Sequence, residues 1–219
     1  MANLCDTMYR FFVSEVDKEH KKQLKKFYSK ISKVYDDNRN TWLGDVAKCF
    51  GINPESISCK GDIYFISEMD EENDYYFEIA TTTAYEPLNE IWDILLSQEE
   101  YEGIEYVYRA EEPSCEIYIN TDYIGEIFPE RYKLEIWLDE YLPAELPKTH
   151  FQTDDIDNLV DEDMYFQTFE ELINFLRKFM IIPDFTEVHE VQEHIDEAFL
   201  VAYAGNRDWG WVCIREFDY

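Results

Sequence analysis

The 219-residue chain carries 19 basic and 49 acidic residues, a formal net charge of −30. Such a field repels nucleic acid and lipid head groups and attracts basic surfaces, so the expected partner is a basic protein, with no direct nucleic-acid or membrane contact. Hydrophobic residues make up 46%, with 17 Tyr and 15 Phe, which excludes a disordered acidic tail, and no apolar run approaches the ~20 residues of a membrane span.

The charge is uneven. Residues 1–35 hold eight basic and four acidic residues, a local charge of +4, while 11 basic and 45 acidic residues follow, −34. The length suits one domain, or one domain with an extension. Cys5, Cys49, Cys59, Cys115 and Cys213 are odd in number and scattered, with no CxxC. That pattern predicts reduced thiols and a cytoplasmic protein rather than a disulfide framework or a zinc ribbon. The N-terminus lacks a basic region followed by an apolar one, so no secretory signal is expected.

Met8 to Ser14 reads as a first strand. Asp17 is the expected cap of a helix to about Tyr35, with Leu24, Phe27, Tyr28, Ile31, Val34 and Tyr35 on its buried stripe and the lysines on the other side. Thr41 to Phe50 reads as a short helix stopped by Gly51. Asp62 to Met69 is rich in β-branched and aromatic residues, and Tyr75 to Thr82 alternates with period two. With the polar run 70–74 between them they form a hairpin. Pro87 is expected to open a helix with Leu88, Ile91, Trp92, Leu95 and Leu96 on one side. Strands over 104–108 and 115–120 follow, separated by a turn at Pro113.

This order predicts an α+β fold: a ferredoxin-like βαββαβ antiparallel sheet with helices on one face, a helical insert at 41–58, and extra strands at 115–120 and Tyr132–Leu138. The domain is expected to span 1–138. Residues 139–219 read as an acidic connection and an α/β extension packed on the same domain. Within the extension, Thr168-Phe-Glu-Glu171 and Asp184-Phe-Thr-Glu187 read as capping boxes of two helices, and Trp209–Phe217 as a last strand.

The words Met1-Ala-Asn-Leu-Cys5, Cys59-Lys-Gly61, Thr83-Ala-Tyr-Glu-Pro87, Tyr108-Arg-Ala-Glu-Glu-Pro113, Asn120-Thr-Asp122 and Phe128-Pro-Glu-Arg-Tyr132 resemble the ferredoxin-like family named for the plasmid protein YubB. The resemblance covers about residues 1–138. It implies the fold and an origin in phages, plasmids or mobile elements. It carries no catalytic residues.

No assembled catalytic site is legible, and no cofactor is expected. Glu68, Asp70, Glu71, Glu72, Asp74, Asp154, Asp155, Asp157, Asp161, Glu162 and Asp163 are the carboxylates expected to meet a partner. The sharpest form of that expectation is a nucleic-acid mimic that inhibits a basic host protein such as a defence factor. Calcium binding by 154–163 fails the EF-hand test, because Val160 and Phe166 stand where glycine and glutamate are needed. The alternatives are a metal-dependent enzyme or metal-binding protein built on His189, Glu190 and Glu193, or an acidic structural domain whose charge serves solubility. His189 and His194 are five apart, not the four that would put both rings on one helix face. Glu111 and Glu112 are adjacent on a strand end and so face opposite ways. Tyr75, Tyr76, Phe77, Tyr106 and Tyr108 would make a base-stacking platform only in basic surroundings, which this hairpin lacks. The lysines of the first helix read as a solvated face rather than a phosphate-binding ridge.

Overall fold

The computed structural model describes residues 3–14, 18–35, 40–69, 75–138, 146–152, 164–203 and 210–219. The expected helix cap Asp17, the turn 70–74 and the acidic connection 153–163 lie outside the described residues. The fold is α+β, with five α-helices, a six-stranded antiparallel sheet and a three-stranded one among the described residues. Contacts divide the chain into two units, Met1–Phe128 with Tyr219, and Pro129–Asp218.

In the first unit, β1 (Leu4–Val13) buries Cys5, Thr7, Tyr9, Phe11 and Val13 and turns the alternate residues outward. Helix α1 (Lys18–Ser32) brings Leu24, Phe27 and Ile31 to the same core. A two-residue strand β2 (Thr41–Trp42) leads into α2 (Leu43–Cys49), which Gly51 ends at φ +77°. Glycine at 44 is required by packing: a Cβ there would come within 2.4 Å of the Trp42 indole, whose Nε1 donates to the Cys59 carbonyl at 2.7 Å.

The expected hairpin is β3 (Gly61–Ile66) and β4 (Tyr76–Ala84), with a register shift between Ile63 and Phe65. An extra residue at such a bulge breaks the in-out alternation, so Tyr64 and Phe65 are both exposed. Helix α3 (Asn89–Leu96) starts after Leu88, so Pro87 precedes the helix rather than opening it. Strand β5 (Ile104–Glu112) is longer than expected, and β6 (Ile117–Asn120) is shorter.

The sheet order is β2-β3-β4-β1-β5-β6, with β1 paired to β4 and β5. Aromatic rings fill the space between sheet and helices: Phe11 lies 5.3 Å from Phe77 and 5.1 Å from Trp92, centroid to centroid. Each such side chain stabilises the fold by about 1.5–3 kcal/mol through burial alone.

The strand Tyr132–Leu138 does not extend this sheet. As β7 it is the centre of a second sheet, between β8 (Met164–Phe166) and β9 (Gly210–Glu216). The reason lies in its own buried face: Leu134 belongs to a separate core with Leu172, Ile173, Val191, Ile195 and Ile214. Those residues come from β9 and from helices α4 (Phe169–Leu176) and α5 (Val188–Ala202). The two units therefore part at Phe128, ahead of the expected boundary at Leu138.

Candidate functional site

The start of α4 follows the expected capping box: Glu171 N donates to Thr168 Oγ1 at 3.1 Å, and the Glu171 carboxylate accepts from Thr168 N at 3.2 Å. The start of α5 departs from expectation. Asp184 does not cap it, because Arg177 Nη2 holds that carboxylate at 2.7 Å. The helix begins three residues later than a cap at Asp184 would set. Glu190 reaches back instead, accepting from Thr186 N at 3.0 Å and Glu187 N at 3.3 Å.

One turn on, Gln192 ties α5 to the edge of β9. Its amide donates to the Val212 carbonyl at 2.8 Å and its Oε1 accepts from Ile214 N at 2.9 Å. A carbonyl and the N–H two residues later point the same way from a strand. Gln192 therefore takes the place of a neighbouring strand at an edge that would otherwise invite another chain.

Beside this junction opens a cavity of about 560 Å³. Tyr132, Phe169, Val188 and Ile214 give it apolar walls, with the Tyr132 and Phe169 rings 5.9 Å apart and inclined by 55°. Glu187, His189 and Glu216 supply its charge, and His189 Nδ1 lies 3.2 Å from Glu187 Oε2. The side chains of Glu187 and His189 are each 67% exposed, so solvent and solutes reach them freely. A His–carboxylate pair is half of a nucleophile-activating arrangement. Among the described residues no hydroxyl or thiol is hydrogen-bonded to His189.

The cavity gathers His189 from the expected metal set and leaves the rest of that set elsewhere. The Glu190 carboxylate is committed to backbone amides. Glu193 is exposed on the helix. His194 Nε2 bonds to the Ile181 carbonyl at 2.8 Å. Among the described residues no group of three or more His, Cys, Asp or Glu is placed to hold a metal ion.

Of the expected partner-facing carboxylates, Glu68 is exposed just after β3. Asp70, Glu71, Glu72, Asp74, Asp154, Asp155, Asp157, Asp161, Glu162 and Asp163 lie outside the described residues. Glu111 and Glu112 do face opposite ways: Glu111 lies 3.6 Å from Arg109, while Glu112 is buried and caps the Cys115 amide.

The aromatic platform is dispersed. Tyr106 and Tyr108 lie opposite Phe11 and Tyr9 on β1, whose side chains face the helices, while Tyr76 is turned the other way, beneath Arg10, with the exposed Tyr75 ring edge-on to it at 5.1 Å. On α1, Lys18, Lys22 and Lys25 are exposed, as is Lys33 just past its end, but Lys26 and Lys30 both hold Glu100, Lys30 at 2.9 Å. Those hydrogen bonds, from Lys26 first and then Lys30, hold the Glu100 carboxyl at about 2. The five cysteines are free thiols, and burial pushes Cys5 up to about 11.

Sequence reasoning missed Tyr132, Phe169, Glu187, Gln192, Ile214 and Glu216 as parts of one site. They come from four elements and the turn before α5, and no spacing links them. No family model, curated protein or solved structure matches the chain. No helix of the described residues is long and apolar enough to cross a membrane.

Proposed function

We propose that the chain is an acidic, non-enzymatic binding protein that engages a basic protein surface. The observation that carries this reading is the charge excess together with how the few cations are used. After residue 35 there are 45 acidic and 11 basic residues. Cations all along the chain are already spent internally: Arg10 on Glu78, Lys26 and Lys30 on Glu100, Lys48 on Asp45, Arg177 on Asp184. Even with every cation paired, the excess of 30 negative charges is left without a cation to neutralise it, and such a field steers encounter with a positive partner.

Nucleic-acid mimicry is the sharper form of the proposal. It requires that the partner be one that handles DNA or RNA and that nucleic acid compete for it. A ferredoxin-like fold of the first unit is part of the same reading. Its support is the run β3-β4-β1-β5 within the sheet and the interleaving of those strands with α1 and α3. The sequence words that resemble the YubB-like family support a phage, plasmid or other mobile-element origin as part of this proposal.

The test is capture from a host lysate at low salt, elution at high salt, and competition by duplex DNA. A basic nucleic-acid-handling protein that is retained, released by salt and displaced by DNA supports mimicry. Retention without displacement supports the acidic binder alone. An empty low-salt lane overturns both.

A further inference from the structure

We propose that the cavity beside the start of α5 receives an alkylammonium or guanidinium group, the head of a lysine or arginine side chain. The inference rests on the basic-partner reading and names the contact such a partner makes in the second unit.

Size comes first. About 560 Å³ falls within the range of small-ligand sites and holds one long cationic side chain with room for water. The inclined Tyr132 and Phe169 rings come next. Aromatic faces attract cations through their quadrupole, and the apolar Val188 and Ile214 walls suit a methylene stem.

Charge decides the sign of the ligand. Two carboxylates, Glu187 and Glu216, stand against one imidazole, so the cavity is negative in either state of His189. Glu187 is engaged with His189, whereas the exposed Glu216 carboxylate makes no hydrogen bond or ion pair among the described residues.

The competing ligand class is an anion, because a helix N-terminus offers free backbone amides and a positive dipole end. Here the Glu190 carboxylate, held by the amides of Thr186 and Glu187 just ahead of the first turn, already places a negative charge at that end. The helix start has supplied its own carboxylate, and the remaining ligand preference is set by Glu216 and the rings.

The experiment is an NMR and calorimetric titration of the full chain in about 0.15 M NaCl, where loose counterion binding is screened. The probes are n-butylammonium, n-butylguanidinium, butyrate and n-butanol, followed by acetyl-lysine-methylamide and a lysine-bearing hexapeptide. The expected result is saturable binding of the cations alone, with shifts centred on Tyr132, Phe169, Val188 and His189. Glu216→Gln weakens it by about fivefold, the worth of one exposed ion contact. Phe169→Ala weakens it further.

Tighter binding of the hexapeptide than of the capped lysine assigns the cation to a partner chain. Equal affinity assigns it to a free amine. Shifts scattered over surface carboxylates, equal response to butyrate, or indifference to Glu216→Gln overturn the proposal. If the cations fail while the chain still retains a basic protein in a salt-dependent way, the cavity inference falls and the acidic-binder reading stands. If the cations bind in the cavity and no basic protein is ever retained, the reverse holds.

Discussion

Asp122 holds a loop together from inside. It is buried, and its carboxylate accepts from Gly125 N at 3.1 Å, Ile127 N at 2.6 Å and Phe128 N at 2.9 Å. Asn120 completes the turn, accepting from Asp122 N at 3.0 Å and donating to the Phe128 carbonyl at 2.8 Å. The loop so fixed exposes Tyr123 and Ile124. Removing the acceptor strands amides in a partly dry site, so Asp122→Ala is expected to cost about 3 kcal/mol in urea denaturation. Asp122→Asn, which keeps one of the two acceptor oxygens, falls between. A wild-type midpoint for Asp122→Ala would mean that water replaces the carboxylate.

Glu100 is the residue whose charge the lysine helix uses. Its folded pKa, about 2, lies below the ordinary 4.5, so its stabilising contribution is fully present above about pH 4.5 and is lost as pH falls toward 2. The group is about one-third exposed, so the effect is that of a screened surface pair, about 0.5–1 kcal/mol. Glu100→Gln should flatten that part of the acid limb and leave neutral-pH folding intact. An unchanged slope between pH 5 and 2 would show that Lys26 and Lys30 contribute nothing through it.

At the scale of elements, what could be read from the sequence was what neighbours in sequence decide. The alternation of β4, the stripe of α1 and the Thr168 capping box are local, and each forms close to where the pattern puts it, whereas β1 begins at Leu4, four residues ahead of the expected Met8. Pairing over long separations was not local. β7 looked like one more strand of the first sheet, because period two says which face is apolar but not which sheet will cover it. The start of α5 lies later than the pattern puts it because Asp184 and Glu187 fit a cap pattern that Glu190 fits better, once Arg177 takes Asp184. The cavity follows from that same helix start. Gln192, midway along a polar-looking face, gave no signal at all. Its clamp predicts the clearest element-scale result: Gln192→Ala leaves Val212 O and Ile214 N open at the β9 edge. The expected cost is about 1–2 kcal/mol, with concentration-dependent association in gel filtration as the bare edge finds other strands. A monomeric, equally stable variant would mean that β9 needs no cover.

At the scale of the whole molecule, two hydrophobic cores that share no residue must be held in a chain of net charge −30. Self-repulsion of that size opposes compaction in each, and the ion pairs named above oppose it only weakly, since an exposed pair is worth at most about 1 kcal/mol. Salt separates the two contributions. Raising NaCl from about 10 mM to about 1 M shortens the screening length from about 30 Å to about 3 Å. If repulsion dominates, the thermal midpoint rises by several degrees; if the pairs dominate, it falls. A rise is expected, because acidic residues outnumber basic ones 49 to 19. The same measurement bears on function. A field able to steer a basic partner from a distance must also strain the fold that carries it, so a midpoint indifferent to salt would count against electrostatic steering as much as against self-repulsion.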